Sequence, residues 1–408
     1  MASRFIVGLD IGTAAIKVTV AENRGGRPIL RAIFKESAIG LRKGAIADIA
    51  LVSGAIARAL GEAKKIAKPA VKNVYVNIGT HQVKAQHSHG IVAVSRADNE
   101  IYEDDIERVT KASQAVHLAP NRMVIHNVTR EFIVDGVPDI NDPLGLSGNR
   151  LEVMSLIVDA FAPHVKSVMR AVELAGGRIG GMVFDPLSGS RSTLSKVQKE
   201  LGVVLIDIGF GTTAMSIYHE NKLSGVAIFP VGAGNITNDL AVGLRIPVEV
   251  AENLKLHYGY AVAREMSSKE AVDLQKFSPE TKGSVSRRYI AEIIEPRLAE
   301  IFEFVNNEIK SLGKAGQLAG GAVLVGGGAK LPGMTELARQ ELKLSTQIGS
   351  SMNDAWASPS TAFSEVFEDP EYVNVLGLAL WGFDRGGWQA TGAGLTSRMK
   401  NILRYFLP

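Results

Sequence analysis

Residues 5–20, FIVGLDIGTAAIKVTV, run apolar into an acid, turn at Asp-x-Gly-Thr and return with β-branched alternation. That pattern predicts a buried strand, a glycine-shaped hairpin turn and a second strand. Residues 203–218, VVLIDIGFGTTAMSIY, repeat the plan, with Asp207 in the place of Asp10. Two related α/β halves with a cleft between them follow from the repetition.

Between the hairpins the pattern changes. Residues 74–94 read as strands, 103–117 as an acid-started amphipathic helix, and 122–135 and 151–161 as strands. The run PHVKSVMRAVELAGG reads as a helix with proline near its start and glycine at its end. A β/α insert of about 80 residues therefore interrupts the first half, within the usual size of a small domain. In the second half, 247–259 and 265–275 read as helices. Residues 284–312 give one long amphipathic stretch, bent near Pro296 by its missing N–H. AVLVGGGAKLPGMTELARQEL then reads as strand, glycine turn and helix. The fold class predicted is α/β with helical insertions.

Composition excludes several alternatives. With 46% hydrophobic and 21% charged residues the 408-residue chain has ample material for a core and is no disordered polypeptide. It holds no cysteine, so disulfides, thiolate nucleophiles and cysteine-ligated metals are excluded, and a reducing compartment fits. No export signal opens it, and no run of ~18 apolar residues would span a bilayer. The net charge of +3 is lodged at one end: residues 385–408 carry Arg385, Arg398, Lys400 and Arg404 and no acid, leaving 41 basic and 42 acidic residues elsewhere. A nucleic-acid-binding face would be spread over the fold, so no nucleic-acid partner is expected.

Each hairpin is a candidate phosphate clamp. Gly12, Thr13, Gly209, Gly211, Thr212 and Thr213 offer backbone amides and hydroxyls, and Asp10 and Asp207 can hold a hydrated Mg²⁺. Lys17 can reach a β- or γ-phosphate as a point charge. Gly326, Gly327 and Gly328 follow a buried strand, where a flat ligand can lie against backbone, with Lys330 just beyond. Glu252 and Lys255 share a helix face that can grip a ribose and a base edge, or form an ordinary surface ion pair. The turn FPVGAGNIT, with Gly232, Gly234 and Asn235, opens a helix whose N–H groups can hold phosphate. Among the eight histidines, His87 and His89 project to one strand face without a third ligand nearby, so no transition metal is expected.

These five elements, in this order, resemble the actin/Hsp70/sugar-kinase ATPase superfamily over nearly the whole chain. Within it, NVYVNIGTHQVKAQHSHGIVAV, EDDIERV, VIHNVTREFIVDG and DPLGLSGNRLEV are similar to the insert of the FtsA family of bacterial cell-division proteins. FPVGAGNITNDLAVGL, VAENLKLHYG and RRYIAEIIEPRLAEIFEFV resemble that family too. The resemblance implies a two-halved actin-like fold. Its first core subdomain is 1–82 with 163–200, its inserted subdomain 83–162, its second core 201–242 with 313–385, and its helical subdomain 243–312. ATP and Mg²⁺ would lie between the hairpins, with adenosine against Gly326–Gly328. Phe210 departs from the superfamily, which usually has glycine there. Asp185 matches the position of a water-orienting Glu or Gln, or it is the cap of an Asp-Pro helix start. No other residue makes a better base, so at most a slow ATPase is implied, mainly a structural adaptor.

The same resemblance implies partners: the FtsZ C-terminal tail at a helix face around Arg287, Arg288 and Arg297, further copies of this chain through 83–162, and other division proteins at the cytoplasmic face of the inner membrane. A sugar kinase would need an acceptor pocket that the insert does not resemble, and a chaperone ATPase would need more chain after the second half. At the end, the glycines of 386–394 predict a flexible linker. Beyond it, Leu395, Met399, Ile402, Leu403 and Phe406 share one helical face, with Arg398, Lys400 and Arg404 off it. A basic amphipathic helix at 395–408, lying on an anionic phospholipid surface, is expected.

Overall fold

The computed structural model describes residues 5–277, 283–351, 355–357 and 361–390. Strands β1 (Phe5–Ile11), β2 (Ala15–Arg24) and β3 (Arg27–Ser37) form an antiparallel meander. A small hairpin, β4 (Leu41–Arg42) and β5 (Ala45–Ile46), precedes α1 (Ile49–Ile66). Asp48 starts that helix by accepting from the Ala50 and Leu51 amides at 2.9 and 3.0 Å, two donors with no intrahelical partner. Strand β6 (Val74–Ile78) returns parallel to β1.

The insert follows, as β7 (Val83–Ala93), α2 (Glu103–Ser113), β8 (Arg122–Val134), β9 (Val137–Ile140) and β10 (Arg150–Phe161). Its sheet runs β7-β10-β8-β9, and Ile101, Ile106, Val109, Phe132, Leu151 and Val153 give it a core of its own. Helix α3 (Ala162–Leu174) and strand β11 (Ile179–Phe184) rejoin the first sheet, and α4 (Asp185–Thr193) and α5 (Lys196–Leu201) lead out of it.

The second half contains β12 (Val203–Ile208), β13 (Thr213–His219), β14 (Lys222–Phe229), α6 (Ala233–Leu244), α7 (Val248–Tyr258), β15 (Ala271–Asp273), β16 (Ser284–Ser286) and α8 (Arg287–Ser311). It continues with β17 (Ala322–Val325), α9 (Met334–Leu342), β18 (Thr346–Ile348), α10 (Ser364–Glu368) and α11 (Val373–Ala390). The two large sheets have one plan. β3-β2-β1-β6-β11 and β14-β13-β12-β17-β18 each place three antiparallel strands beside two parallel ones. Asp10 and Asp207 therefore sit on equivalent strands, β1 and β12.

Three expectations change. Residues 265–275 are not a helix: Val272 and Leu274 are buried while their neighbours are exposed, a period of two, and β15 pairs with β16. The long amphipathic stretch becomes helical only at Arg287, where Ser286 Oγ accepts from the Tyr289 amide at 3.1 Å, and it then runs through Pro296. The expected linker 386–394 begins inside α11, helical to Ala390. A helix already nucleated and packed gains a hydrogen bond for each residue added, which offsets the glycine cost. Residues 391–408, with the rest of that linker and the expected membrane helix, lie outside the described residues.

Helix α11 is seated tightly. Leu376, Leu378, Ala379 and Leu380 are buried, and Gly377 lies directly on the Ser188 carbonyl of α4. Gly8 of β1 faces the Val375 carbonyl from the other side, where a Cβ would stand 2.6 Å from the oxygen. Arg191 of α4 closes the far end on Asp384 at 2.7 and 3.0 Å.

Candidate functional site

The two acid-ended hairpins meet at a cleft of about 550 Å³. Asp10 stands opposite Lys17, and Asp207 opposite Ala214, one pair short of each turn. The turns are closed by backbone: the Gly12 amide donates to Ala15 O at 3.1 Å, and the Gly209 amide to Thr212 O at 2.9 Å. Thr13, Ala14, Gly211 and Thr212 at the two tips line the cleft, and the tips touch, Gly211 against the Thr13 side chain.

At the base of the cleft the fold gathers acids. Lys17 Nζ lies 3.2 Å from Asp10 Oδ2 and 3.9 Å from Glu371 Oε1. Asn77 donates to Asp10 Oδ1 at 3.0 Å while its own oxygen accepts from the Ile11 amide at 2.7 Å. Asn374, in the first turn of α11, donates to Asp207 Oδ2 at 2.7 Å. Burial pushes the Asp207 carboxyl up to about 6, with Asp10 adding to the shift and Asn374 opposing it. Burial, then Asp10 and Asp207, raise Asp185 well above the carboxylate range. Burial alone would lower Lys17, but Asp10, Glu371 and Asp207 turn the shift upward. One lysine thus answers several acids, and the cleft base is electron-rich.

Asp185 is not a cap. Phe184 holds the N-cap position of α4, and Asp185 is its first helical residue. Its Oδ1 is buried without a hydrogen-bond partner.

On the opposite wall, Gly326 adopts φ 85°, and a side chain there would strike Asp207 Oδ1. Gly327 and Gly328 line the cleft beside it. Lys255 Nζ contacts Glu252 Oε2 at 2.7 Å, Thr237 Oγ1 at 2.8 Å and Ala233 O at 3.1 Å, and lies 5.4 Å from the Phe210 ring centre. Burial holds Lys255 below the usual lysine range, against the pull of Glu252. Lys330 pairs with Asp369 at 2.6 Å and Glu371 at 3.6 Å.

The helix start at 232–235 takes a different role from the expected one. The amides of Ala233 and Gly234 donate to the Gly209 and Phe210 carbonyls at 2.9 and 2.8 Å. Gly232 N donates to Asn235 Oδ1 at 3.1 Å and Asn235 N to Gly232 O at 2.9 Å. These donors hold the second hairpin and are not aimed at a ligand. Thr213 is likewise turned away, its hydroxyl donating to Val231 O at 2.9 Å. The Phe210 ring lies on Gly234.

Four cleft residues have weak or no local signal. Asn77 and Asn374 are single polar residues in apolar runs, VYVNI and VNVLGLAL, a visible anomaly. Lys35 and Glu371, joined at 2.6 Å, have none, since only the fold brings them to the cleft. Outside the cleft, Arg287 pairs with Glu270 at 3.1 Å, Arg288 with Glu292 at 3.2 Å, and Arg297 grips Asp239 of α6 at 2.6 and 3.0 Å. Arg297 therefore ties α8 to α6 and is no free partner contact. Of the histidines, His89 pairs with Glu152 at 2.7 Å. Among the described residues no group of three His, Asp or Glu side chains could ligate a metal directly.

Lys17 gives a direct test of this balance. Lys17→Met leaves Asp10 without its ion-pair partner, while Glu371 keeps Lys35 and Lys330, and is expected to cost about 3 kcal/mol at neutral pH, read by urea unfolding.

Two five-stranded sheets of one plan, each sending an acid-ended hairpin into a shared cleft, define the actin-like α/β ATPase fold. Two solved structures agree. The PilM–PilN type IV pilus biogenesis complex matches with TM-score 0.68 at 20% identity, over 94% of this chain and 99% of that one. MreB 5 of Spiroplasma citri bound to AMPPNP matches with TM-score 0.54 at 14% identity, over 98% and 99%. The family model described as cell division protein FtsA matches residues 204–377, and the SHS2 domain inserted in FtsA matches 80–158. The FtsA of Pseudomonas aeruginosa is 31% identical over 383 residues, 94% of this chain and 90% of that protein. The chain belongs to the FtsA family of cell-division proteins. Among the described residues no helix is long and apolar enough to cross a membrane.

Proposed function

We propose that this chain is an ATP-binding, self-associating adaptor that tethers the FtsZ tail to the cytoplasmic face of the inner membrane at the division site. The observation that carries it is the pair of acid-ended hairpins that meet at one acid-rich cleft. The MreB 5 relative of the same fold holds AMPPNP. Asp10 and Asp207 would hold Mg²⁺ through water, which fits a donor set too spread for direct ligation and the orphan Asp185 Oδ1. Bound Mg²⁺ would supply charge neutralisation at the phosphates. The tips Thr13, Gly211 and Thr212 contact phosphate, Gly326–Gly328 face the base, and Glu252 with Lys255 reaches the ribose edge. Asp185, raised by burial and by Asp10 and Asp207, is the one candidate to orient the attacking water, and at most slow hydrolysis is expected.

Residues 83–162 would contact the next copy. Arg288, half exposed and held only by an i,i+4 pair, is the arginine of the three most open to exchange for an acidic partner. Leu395, Met399, Ile402, Leu403 and Phe406 would enter the lipid interface, with three cations adding about 1 kcal/mol each near an anionic surface. A single tail binds reversibly, and assembly strengthens attachment. Full-length chain should hold fluorescent FtsZ filaments on anionic vesicles. Leu403→Glu should release both proteins and Arg288→Glu only FtsZ. Undiminished FtsZ retention in both variants would sink the adaptor reading.

A further inference from the structure

We propose that a second basin, separate from the cleft, binds a phosphate-type oxyanion. It measures about 330 Å³ and is bounded by the β4–β5 hairpin, the turn before β7 and the first turn of α3. Arg42, Lys43, His81 and His164 line it, and no carboxylate does.

The cations there are unanswered. Arg42 and Lys43 form no ion pair among the described residues, whereas the cations of the nucleotide cleft, Lys17, Lys35, Lys255 and Lys330, are all paired. His81 Nδ1 lies 3.3 Å from Lys43 O and His164 Nδ1 2.9 Å from Thr80 Oγ1, which leaves each Nε2 for another partner. Burial, with His81 adding to it, pulls His164 below the usual imidazole range. Asp48 caps α1, Asp159 holds Arg122, whose Nη2 donates to Gln82 O at 3.1 Å, and Asp185 lies against Gly79 but lines the nucleotide cleft rather than this basin. The start of α3 adds positive potential at His164.

An arginine, a lysine and two histidines lining one basin without an acid match a compact ion with several acceptor oxygens. Phosphate supplies these in a tetrahedron, where a carboxylate offers only two. The basin shares a wall with the nucleotide cleft: Gly44 packs on the Gly79 carbonyl, and its amide donates to Thr13 Oγ1 at 3.2 Å. Gly44 and Gly79 both line the cleft, so the two spaces are separated by little more than backbone.

The test follows the histidine ring resonances of the full chain, titrated at constant ionic strength with inorganic phosphate and, separately, with glycerol 3-phosphate. His81 and His164 should shift saturably with at least one of them. Arg42→Gln with Lys43→Gln should weaken that binding by about tenfold or more, without changing the thermal midpoint. The single Arg42→Gln serves if the double variant is poorly folded. Tighter binding of the free ion marks a diffusible source, and tighter binding of the ester marks a phosphate carried on a larger molecule. Shifts that stay linear, or that persist unchanged in the variants, overturn the site.

Discussion

Asp207→Asn should raise the thermal stability of the empty protein at pH 8 while weakening Mg²⁺-ATP binding by a hundredfold or so, the scale of about 3 kcal/mol for a lost charged contact. Both effects come from one carboxyl. Its folded value stands at about 6 against 3.8 for an ordinary aspartate, driven by burial and by Asp10. The unfolded chain therefore releases the proton first as pH rises, and the folded state loses stability between about pH 4 and 6. At about 1.4 kcal/mol per unit the ceiling is roughly 3 kcal/mol. The side chain keeps some solvent contact through the cleft, so about 1–2 kcal/mol is expected. Asparagine preserves the shape and the Asn374 bond and removes the charge. The stability difference between variant and parent should be absent below pH 4, grow to pH 6 and then level off. Calorimetric titration gives the other half, and nucleotide affinity equal to the parent's would remove Asp207 from the cation site.

Gly377→Ala should be severely damaging for the addition of a single methyl group. Its Cβ would fall inside the Ser188 carbonyl of α4, and backbone cannot swing aside as a side-chain tip can. On the order of 4 kcal/mol or more is expected, from overpacking between two helices of which α11 also packs on β1. Gly61, in α1 with nothing within 4 Å of its would-be Cβ, is the control. Gly61→Ala should stabilise by about 0.5–1 kcal/mol through helix propensity and the unfolded chain. Urea midpoints moving in opposite directions would confirm the contrast, and equal midpoints would refute it.

The hairpins were legible because their information is local: strand, acid, turn and return occupy sixteen consecutive residues. The repeated sheet plan follows from them, since equivalent strands place Asp10 and Asp207 alike. Residues 232–235 were misread for the opposite reason. A glycine helix start looks the same whether its amides face a ligand or the Gly209 and Phe210 carbonyls, and only the fold decides. The 265–275 segment was misread because two buried residues over so short a span do not fix a period until a partner strand is known. Glu371 and Lys35 were invisible because their meeting at the cleft depends on chain closure and not on spacing.

The seating of α11 has a mechanical consequence. Its contacts through Gly8, Gly377 and the Arg191–Asp384 pair belong to the first half of the fold, while Asn374 reaches across to Asp207. At ~1.5 Å per residue the helix is a strut of about 27 Å, aimed by one half and touched at its root by the other. Opening or closing the two halves therefore loads or unloads the root without redirecting the strut.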